Sequence, residues 1–248
     1  EYVLRNSANK NKAKMLNAGK YFVKYEQMYG SNALMMYGLA ANESGWGLSS
    51  IAQNKNNLFG HGAVDSNPYY GSNGYESVEN CILYHAKIFI SEGYLDPKDY
   101  SNRYYGAHFG DKDSGVNVKY ASDPYWGEKA AEYCWAVYEH YERESDASLH
   151  SKDAFKYTIA IQNGAFELNV RKEAKASSTA LYKSKAISSY PYLVIGETVG
   201  SSVNGNTKWY KIQSDPPLKS DRSAMVQDNG LYDFDKDYAY VSCSYVTI

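Results

Sequence analysis

The hydrophobic pattern of this chain changes character just past its middle. Segments such as Val78–Glu92 and Gly127–Glu144 repeat apolar residues at intervals of three and four, the spacing of a helix with one buried face. Beyond the polar stretch Ser145–Asp153, short runs alternate between apolar and polar residues, from Tyr157–Ile161 to Tyr238–Val246, with Gly, Ser and Pro between them. We therefore predict an α+β protein of two domains. Residues 1–147 form a mainly helical domain, residues 154–248 form a small all-β barrel, and the polar stretch links them.

Composition excludes several classes of function. The net charge of −2 gives no basic field that could hold nucleic acid or an anionic membrane. No apolar run approaches the ~20 residues of a membrane span. The three cysteines match no metal spacing, and we expect buried free thiols at Cys81 and Cys134. We predict neither a metal nor a cofactor.

Two aspartate-rich segments resemble fragments of a calcium loop, but neither is complete. They are Asp111–Gly115 and Asp233–Asp237. Ser122 and Ser244 stand where the bidentate glutamate of an EF-hand loop would be. We interpret both segments as turns.

Glu43 is the strongest candidate for chemistry. It ends a predicted helix that starts near Ser31, and Gly45 and Gly47 follow it. At about 100° per residue, Glu43 continues the apolar stripe of Met36, Leu39 and Ala40. A carboxyl partly removed from water has a raised pKa, which suits a general acid. The alternative, a glutamate that is solvated or bonded to backbone and has no catalytic role, stays open.

The residues around Glu43 form an ordered set of motifs that resembles a known family. The set consists of Ala41–Gly47, Lys55–Gly60, Asp65–Tyr69, Tyr75–Glu79 and Lys119–Tyr125. It is similar in order and spacing to the bacterial endo-β-N-acetylglucosaminidases of glycoside hydrolase family 73, which are peptidoglycan autolysins with a lysozyme-like helical fold. The set spans most of residues 20–142.

The resemblance implies roles for particular residues. Glu43 corresponds to the family's general acid, and Tyr120 is placed against the reacting sugar. The second carboxylate of the family usually lies in the lobe after the Leu-Phe-Gly turn, which holds Asp65, Glu76 and Glu79. Asp65 and Glu76 are equal candidates, because Glu79 falls in the first turn of its helix, where a capping role is favoured. Asp65 could instead form a turn. We expect the same motifs to bind substrate through the residues Trp46, Asn57, Phe59, Gly60, Tyr75 and Tyr125.

Two histidines lie close to these motifs in the sequence. His85 falls inside the apolar stripe of its helix, and we interpret it as a core residue. His61 follows the Leu-Phe-Gly turn, where it could line the cleft or simply lie on the surface.

The second half of the chain resembles a bacterial SH3-like (SH3b) domain. The similarity rests on Leu168–Arg171, Lys208–Ile212 and Tyr240–Val246. It implies a domain that attaches the enzyme to the cell wall. The family's usual Arg-Ser-Gly-Pro continuation is replaced by Arg171–Ala174, so the resemblance does not extend to a particular ligand.

Together these features predict a peptidoglycan hydrolase that cleaves the β-1,4 bond after N-acetylglucosamine. Either a second carboxylate activates water, with the two carboxyls roughly 6.5–9.5 Å apart, or the substrate's own 2-acetamido oxygen attacks while Tyr120 steadies the intermediate. A muramidase or lytic transglycosylase, which cleaves the other glycan bond, and a wall-binding module without activity are the alternatives. We expect a secreted, cell-wall-associated monomer, and the start at Glu1 suggests a processed chain or part of a longer one.

Overall fold

A computed structural model describes residues 9–64, 66–99, 101–143, 158–214 and 237–248. The predicted linker Ser145–Asp153 and the proposed boundary between residues 147 and 154 lie outside the described residues. Helices occupy the first part of the chain and an all-antiparallel sheet the last part. The predicted α+β class is therefore confirmed.

The chain folds as two compact units. The first comprises Glu1–Ile90 with Tyr125–His150, and the second comprises Ser91–Pro124 with Ser151–Ile248. Residues 91–124 thus group with the β-sheet, although they precede the last helix in sequence.

Several of the helices begin where a polar side chain accepts a hydrogen bond from the first turn. The helices are α1 Gly19–Tyr29, α2 Ala33–Ser44, α3 Ser50–Lys55, α4 Pro68–Gly71, α5 Val78–Tyr84, which continues as a π-helix over His85–Tyr94, and α6 Trp126–Arg143. Asn32, Ser49 and Ser77 accept bonds from the backbone N–H groups of Met35, Ala52 and Asn80, respectively. Such caps satisfy N–H groups that have no partner within the helix.

A separate short turn precedes helix α1. The structure has a 3-10 turn at Lys10–Lys12, and α1 starts at Gly19. Between them Asn17 adopts the left-handed conformation, with φ of 60°. An α-helix cannot pass through a residue in that conformation.

Helix α2 is the centre of the helical unit and packs against α6. Met36, Leu39, Ala40 and Ala41 are buried. Gly38 allows the close approach of the two helices, because an added Cβ would collide with Cys134 Sγ and lie 3.0 Å from the Cys134 backbone nitrogen. The Cys134 thiol in turn lies 3.4 Å from the Leu34 carbonyl oxygen.

The β-sheet has seven strands in the order β3-β2-β6-β5-β4-β1-β7. The strands are β1 Thr158–Gln162, β2 Asn169–Arg171, β3 Ala180–Lys183, β4 Pro191–Val203, β5 Asn206–Gln213, β6 Tyr238–Ser242 and β7 Val246–Thr247. The predicted runs Tyr157–Ile161 and Tyr238–Val246 both contribute to the sheet, and the second of them is divided between β6 and β7. Asn204 and Gly205, both with positive φ, join β4 to β5 in a tight hairpin.

All three cysteines are free. In the described part of the chain, no helix is both long and apolar enough to cross a membrane.

Gly38→Ala tests the helix contact. We expect it to lower the free energy of unfolding by about 1–3 kcal/mol, because the added methyl overpacks the contact between α2 and α6. Gly19→Ala is the matched control, since no atom lies within 4 Å of its added Cβ. Chemical denaturation would measure both, and equal stabilities of the two variants would contradict this account of the contact.

Candidate active site

A sharp backbone corner fixes the end of α2. Gly45, Trp46 and Gly47 have φ values of 55°, 63° and 79°, three consecutive left-handed residues. The Ser44 hydroxyl accepts a hydrogen bond from the Gly47 N–H at 2.7 Å and donates one to the Ala40 carbonyl. A Cβ on Gly47 would come within 2.8 Å of two backbone nitrogens. The corner therefore requires glycine at position 47, and it holds the last turn of α2 in one orientation.

Glu43 projects from this last turn into a partly buried environment. The Trp126 indole N–H donates a hydrogen bond to Glu43 Oε1 at 2.8 Å. Burial raises the pKa of the Glu43 carboxyl, and the bond from Trp126 offsets part of that rise because it stabilises the carboxylate. A Cβ built on Gly60 would lie 3.9 Å from Glu43 Oε2. The Leu-Phe-Gly turn therefore passes beside the carboxyl, with an added Cβ at position 60 in ordinary van der Waals contact with it. The φ of 66° at Gly60 disfavours any side chain there.

Trp46 belongs to a row of aromatic rings. Its ring centroid lies 5.6 Å from that of Tyr133 on α6 and 6.3 Å from that of Tyr37 on α2. Tyr37 also contacts the buried Phe22 ring edge-on. Trp46 is half-buried, so part of its face is covered by protein.

Asn57 shapes the turn that carries Phe59 and Gly60. Its Oδ1 accepts hydrogen bonds from the backbone N–H groups of Phe59 and His61, at 3.2 and 3.1 Å. Its Nδ2 donates to the carbonyls of His61 and Asn73, both at 3.0 Å. The buried Asn57 side-chain amide thus bonds backbone groups through both its oxygen and its nitrogen. The Phe59 side chain is buried as well. These two residues position the turn.

A buried polar network ties the turn to α5. His61 Nδ1 lies 2.7 Å from the Tyr75 hydroxyl oxygen. His61 Nε2 lies 3.0 Å from His85 Nδ1. The Phe59 ring stacks on the His85 ring, with centroids 3.6 Å apart. Burial lowers the pKa of His61 to about 4 and that of His85 well below its usual value. Both imidazoles are therefore neutral at physiological pH.

This network differs in part from the sequence-based expectation. His85 is a core residue, as predicted. His61 is buried and not on the surface, because the turn folds back so that its ring contacts His85. The local sequence around His61 carries no signal of that contact.

Lys55 bonds the backbone of the segment that follows the Leu-Phe-Gly turn. Its ammonium donates to the carbonyl oxygens of Tyr69 at 2.5 Å and Ser72 at 2.8 Å. Asp65, one candidate for the second carboxylate, lies outside the described residues. Glu76, the other candidate, is exposed and accepts a hydrogen bond from the Asn80 amide at 3.3 Å.

The structure places the two remaining predicted tyrosines in different units. Tyr125 lies in the helical unit directly before α6 and is 66% exposed. Tyr120 lies in the unit that contains the β-sheet, where its ring centroid is 5.7 Å from that of Tyr94.

Metal-binding groups are not gathered anywhere in the portion of the chain that the structure describes. Asp111 caps a local turn by accepting hydrogen bonds from the N–H groups of Asp113 and Ser114. The segment Asp233–Asp237 lies outside the described residues except for Asp237.

Comparison with known proteins identifies the family to which residues 19–140 belong. Residues 19–140 match the sequence model of the Glucosaminidase family, described as mannosyl-glycoprotein endo-beta-N-acetylglucosaminidase. The chain is also 44% identical over 124 residues to two Streptococcus pneumoniae proteins from different strains, each named "Putative endo-beta-N-acetylglucosaminidase". Each match covers 50% of this chain but only 18% and 16% of the two relatives, so the chain spans less than a fifth of their length.

The matched region therefore has the sequence of a glycoside hydrolase. Residues 19–140 belong to the glucosaminidase family, which confirms the family inferred from the motifs around Glu43.

Trp126→Phe tests the electrostatics of Glu43. Loss of the indole N–H removes the bond that stabilises the carboxylate, so the pKa of Glu43 should rise further. A general acid works in its protonated form, and activity falls as the pH rises through its pKa. We therefore expect the alkaline limb of the pH profile of kcat/KM to move to higher pH. Trp135→Phe, at an exposed position of α6, is the control and should leave the alkaline limb of the pH profile unchanged. A shift of that limb towards lower pH in Trp126→Phe would contradict this account of the Glu43 carboxyl.

The buried histidines predict a pH-dependent stability. The pKa of His61 is about 4 in the folded protein and 6.5 in its ordinary state. The unfolded chain therefore binds more protons between these values, and the free energy of unfolding should fall as the pH drops from 6.5 towards 4. The slope is at most about 1.4 kcal/mol per pH unit for each proton taken up.

Denaturation curves at several pH values would measure this slope. His61→Gln should be less stable than the wild type at neutral pH but should show a shallower dependence on pH. A slope unchanged in His61→Gln would contradict the buried neutral imidazole.

Proposed function

We propose that this chain hydrolyses the β-1,4 bond after N-acetylglucosamine in peptidoglycan glycan strands, with Glu43 as the general acid. One observation carries the proposal: a partly buried carboxyl with a raised pKa, held by the Trp126 indole, lies beside the side-chain-free Gly60. A raised pKa extends the protonated form of the carboxyl to higher pH, and the protonated form is the one that a general acid uses. Because Gly60 has no side chain, space remains next to Glu43 Oε2, where the glycosidic oxygen would lie.

Glu43 donates its proton to the glycosidic oxygen as the bond between that oxygen and the anomeric carbon breaks. The anomeric carbon then carries oxocarbenium-like charge, and a water molecule finally adds to it and releases a proton. We favour attack by the substrate's 2-acetamido oxygen, with Tyr120 beside the intermediate, over direct water attack assisted by Asp65 or Glu76. This route needs no second carboxylate close to Glu43, and Glu76 is exposed and bonded to Asn80.

We further propose that the β-sheet unit binds the cell wall. A groove of about 260 Å³ is lined by the aromatic residues Phe166, Trp209 and Tyr245, together with Glu167 and Arg171. The rings of Phe166 and Tyr245 are partly exposed, whereas Trp209 is buried. Partly exposed rings beside charges of both signs suit a short peptide, which carries amides, an ammonium and a carboxylate. The protein would then act as a secreted, wall-associated monomer whose partner is peptidoglycan.

Glu43→Gln tests the catalytic assignment. Loss of the proton donor should lower kcat on isolated cell walls by about 10²–10⁴-fold, the usual contribution of a general acid. Sedimentation with walls should remain at the wild-type level, because the groove is untouched. Glu132→Gln, exposed on α6, is the matched control and should lyse walls normally. Undiminished lysis by Glu43→Gln would refute the assignment.

Mass spectrometry of the wild-type digest identifies the bond. New reducing ends should be N-acetylglucosamine. Reducing-end N-acetylmuramic acid would instead identify a muramidase, and an anhydro product a lytic transglycosylase. Nuclear magnetic resonance of the first product reports stereochemistry, and net inversion would rule out attack by the acetamido group.

A further inference from the structure

The family region and the compact units do not coincide. The glucosaminidase match runs without interruption from residue 19 to residue 140, yet residues 91–124 group with the β-sheet. We refer to residues 91–124 as the arm. It carries Tyr120, to which the proposed mechanism gives a place at the reacting sugar.

Tyr104 inserts the arm into the core of the sheet. It is 1% exposed and packs in the same hydrophobic cluster as Tyr182, Tyr190 and Ile212. Its hydroxyl contacts that of Tyr190, and its ring meets the Tyr182 ring edge-on, with centroids 6.5 Å apart. A buried tyrosine contributes a large apolar area, so the arm and the sheet stabilise each other.

Lys185 makes a second contact at the surface. It follows β3, and its ammonium reaches the Asn102 side-chain oxygen of the arm. The same ammonium lies 5.3 Å from the centroid of the Tyr105 ring. Two residues earlier, Lys183 pairs instead with Glu167 of the sheet unit at 3.0 Å and does not take part in these arm contacts.

Hydrogen bonds continue from Tyr104 and Tyr105 to Tyr120. The Tyr105 carbonyl accepts from the Gly115 N–H at 2.9 Å, and the His108 carbonyl accepts from the Val116 N–H at 2.8 Å. The Val116 carbonyl in turn accepts from the Tyr120 N–H at 3.1 Å. The backbone position of Tyr120 is therefore linked to the sheet core through a short series of bonds.

We propose that the β-sheet unit positions the arm for glycan hydrolysis, with Tyr104 and Lys185 as positioning residues. This inference rests on the proposed function. A domain that only anchors the enzyme matters for insoluble walls and is dispensable for small soluble substrates. A sheet that positions Tyr120 is needed for both.

The test uses full-length variants and a soluble glycan fragment with N-acetylated sugars. Tyr104→Ala should lower kcat by about 10–100-fold, since a displacement of about 1 Å can cost as much as 100-fold. Lys185→Ala should lower kcat by about 2–5-fold, a smaller effect because the contact lies at the surface and the core stays intact. In both variants KM should change little. Lys183→Ala, the matched control, should keep the wild-type kcat, and Tyr104→Phe should restore most of the activity because the ring remains.

Hydrogen–deuterium exchange separates this inference from the proposed function. In Tyr104→Ala and Lys185→Ala, amides of residues 105–120 should exchange faster than in Lys183→Ala. Wild-type rates of exchange and of soluble-substrate hydrolysis in both variants would overturn the positioning role. If Tyr104→Ala fails to fold, Lys185→Ala alone decides. A wild-type protein without hydrolytic activity would refute the proposed function, and the exchange rates would still test the link between sheet and arm.

Discussion

The hydrogen bond from Trp126 to Glu43 joins α2 to α6, the two helices on which the candidate site depends. The two residues are 83 positions apart in the sequence, at the last turn of α2 and the first residue of α6. Their separation is set by the packing of the two helices, which approach closely at Gly38 and Cys134. A small residue in the middle of α2 thus determines where the indole meets the carboxyl. The protonation state of Glu43 is in this way a property of helix packing as well as of local burial.

Polar groups buried near the site serve mainly to fix shape. Asn57 bonds four backbone groups, and the His61 and His85 imidazoles bond each other in an apolar surrounding. Leaving such groups unpaired would be costly, so each constrains the turn to one conformation. The Leu-Phe-Gly turn therefore reaches Glu43 as a preformed surface, which spares the cost of ordering it when a substrate binds.

Local sequence signals predicted a large part of this arrangement. The helix that starts near Ser31 and the helix that starts at Val78 depend on neighbouring residues, and so do the alternating runs Tyr157–Ile161 and Tyr238–Val246. The structure has helices and strands at these places. The partial burial of Glu43 followed from the position of its side chain on the apolar face of α2.

Contacts between residues far apart in the sequence were not predictable in the same way. Trp126 gives no local sign that it bonds a carboxyl, and His61 gives none that it meets His85. Tyr104 lies in a loop-rich segment of the helical half, and its place in the sheet core depends on strands that come much later in the chain. Such contacts depend on the tertiary fold, which periodicity within a short window does not report.

Each of the two units consists of two segments that are separated in the sequence, so neither is complete early in synthesis. Helix α2 must wait for α6, about a hundred residues later, before the helical unit is closed, as the contact of Cys134 with Leu34 illustrates. The arm must wait still longer, for the sheet residues around Tyr190 and Val241. Pairings across such distances form slowly because a long loop has to close first. Neither unit can therefore finish folding while the ribosome is still adding the residues that complete it, and the Tyr104 side chain stays uncovered until the strands that pack on it have been made.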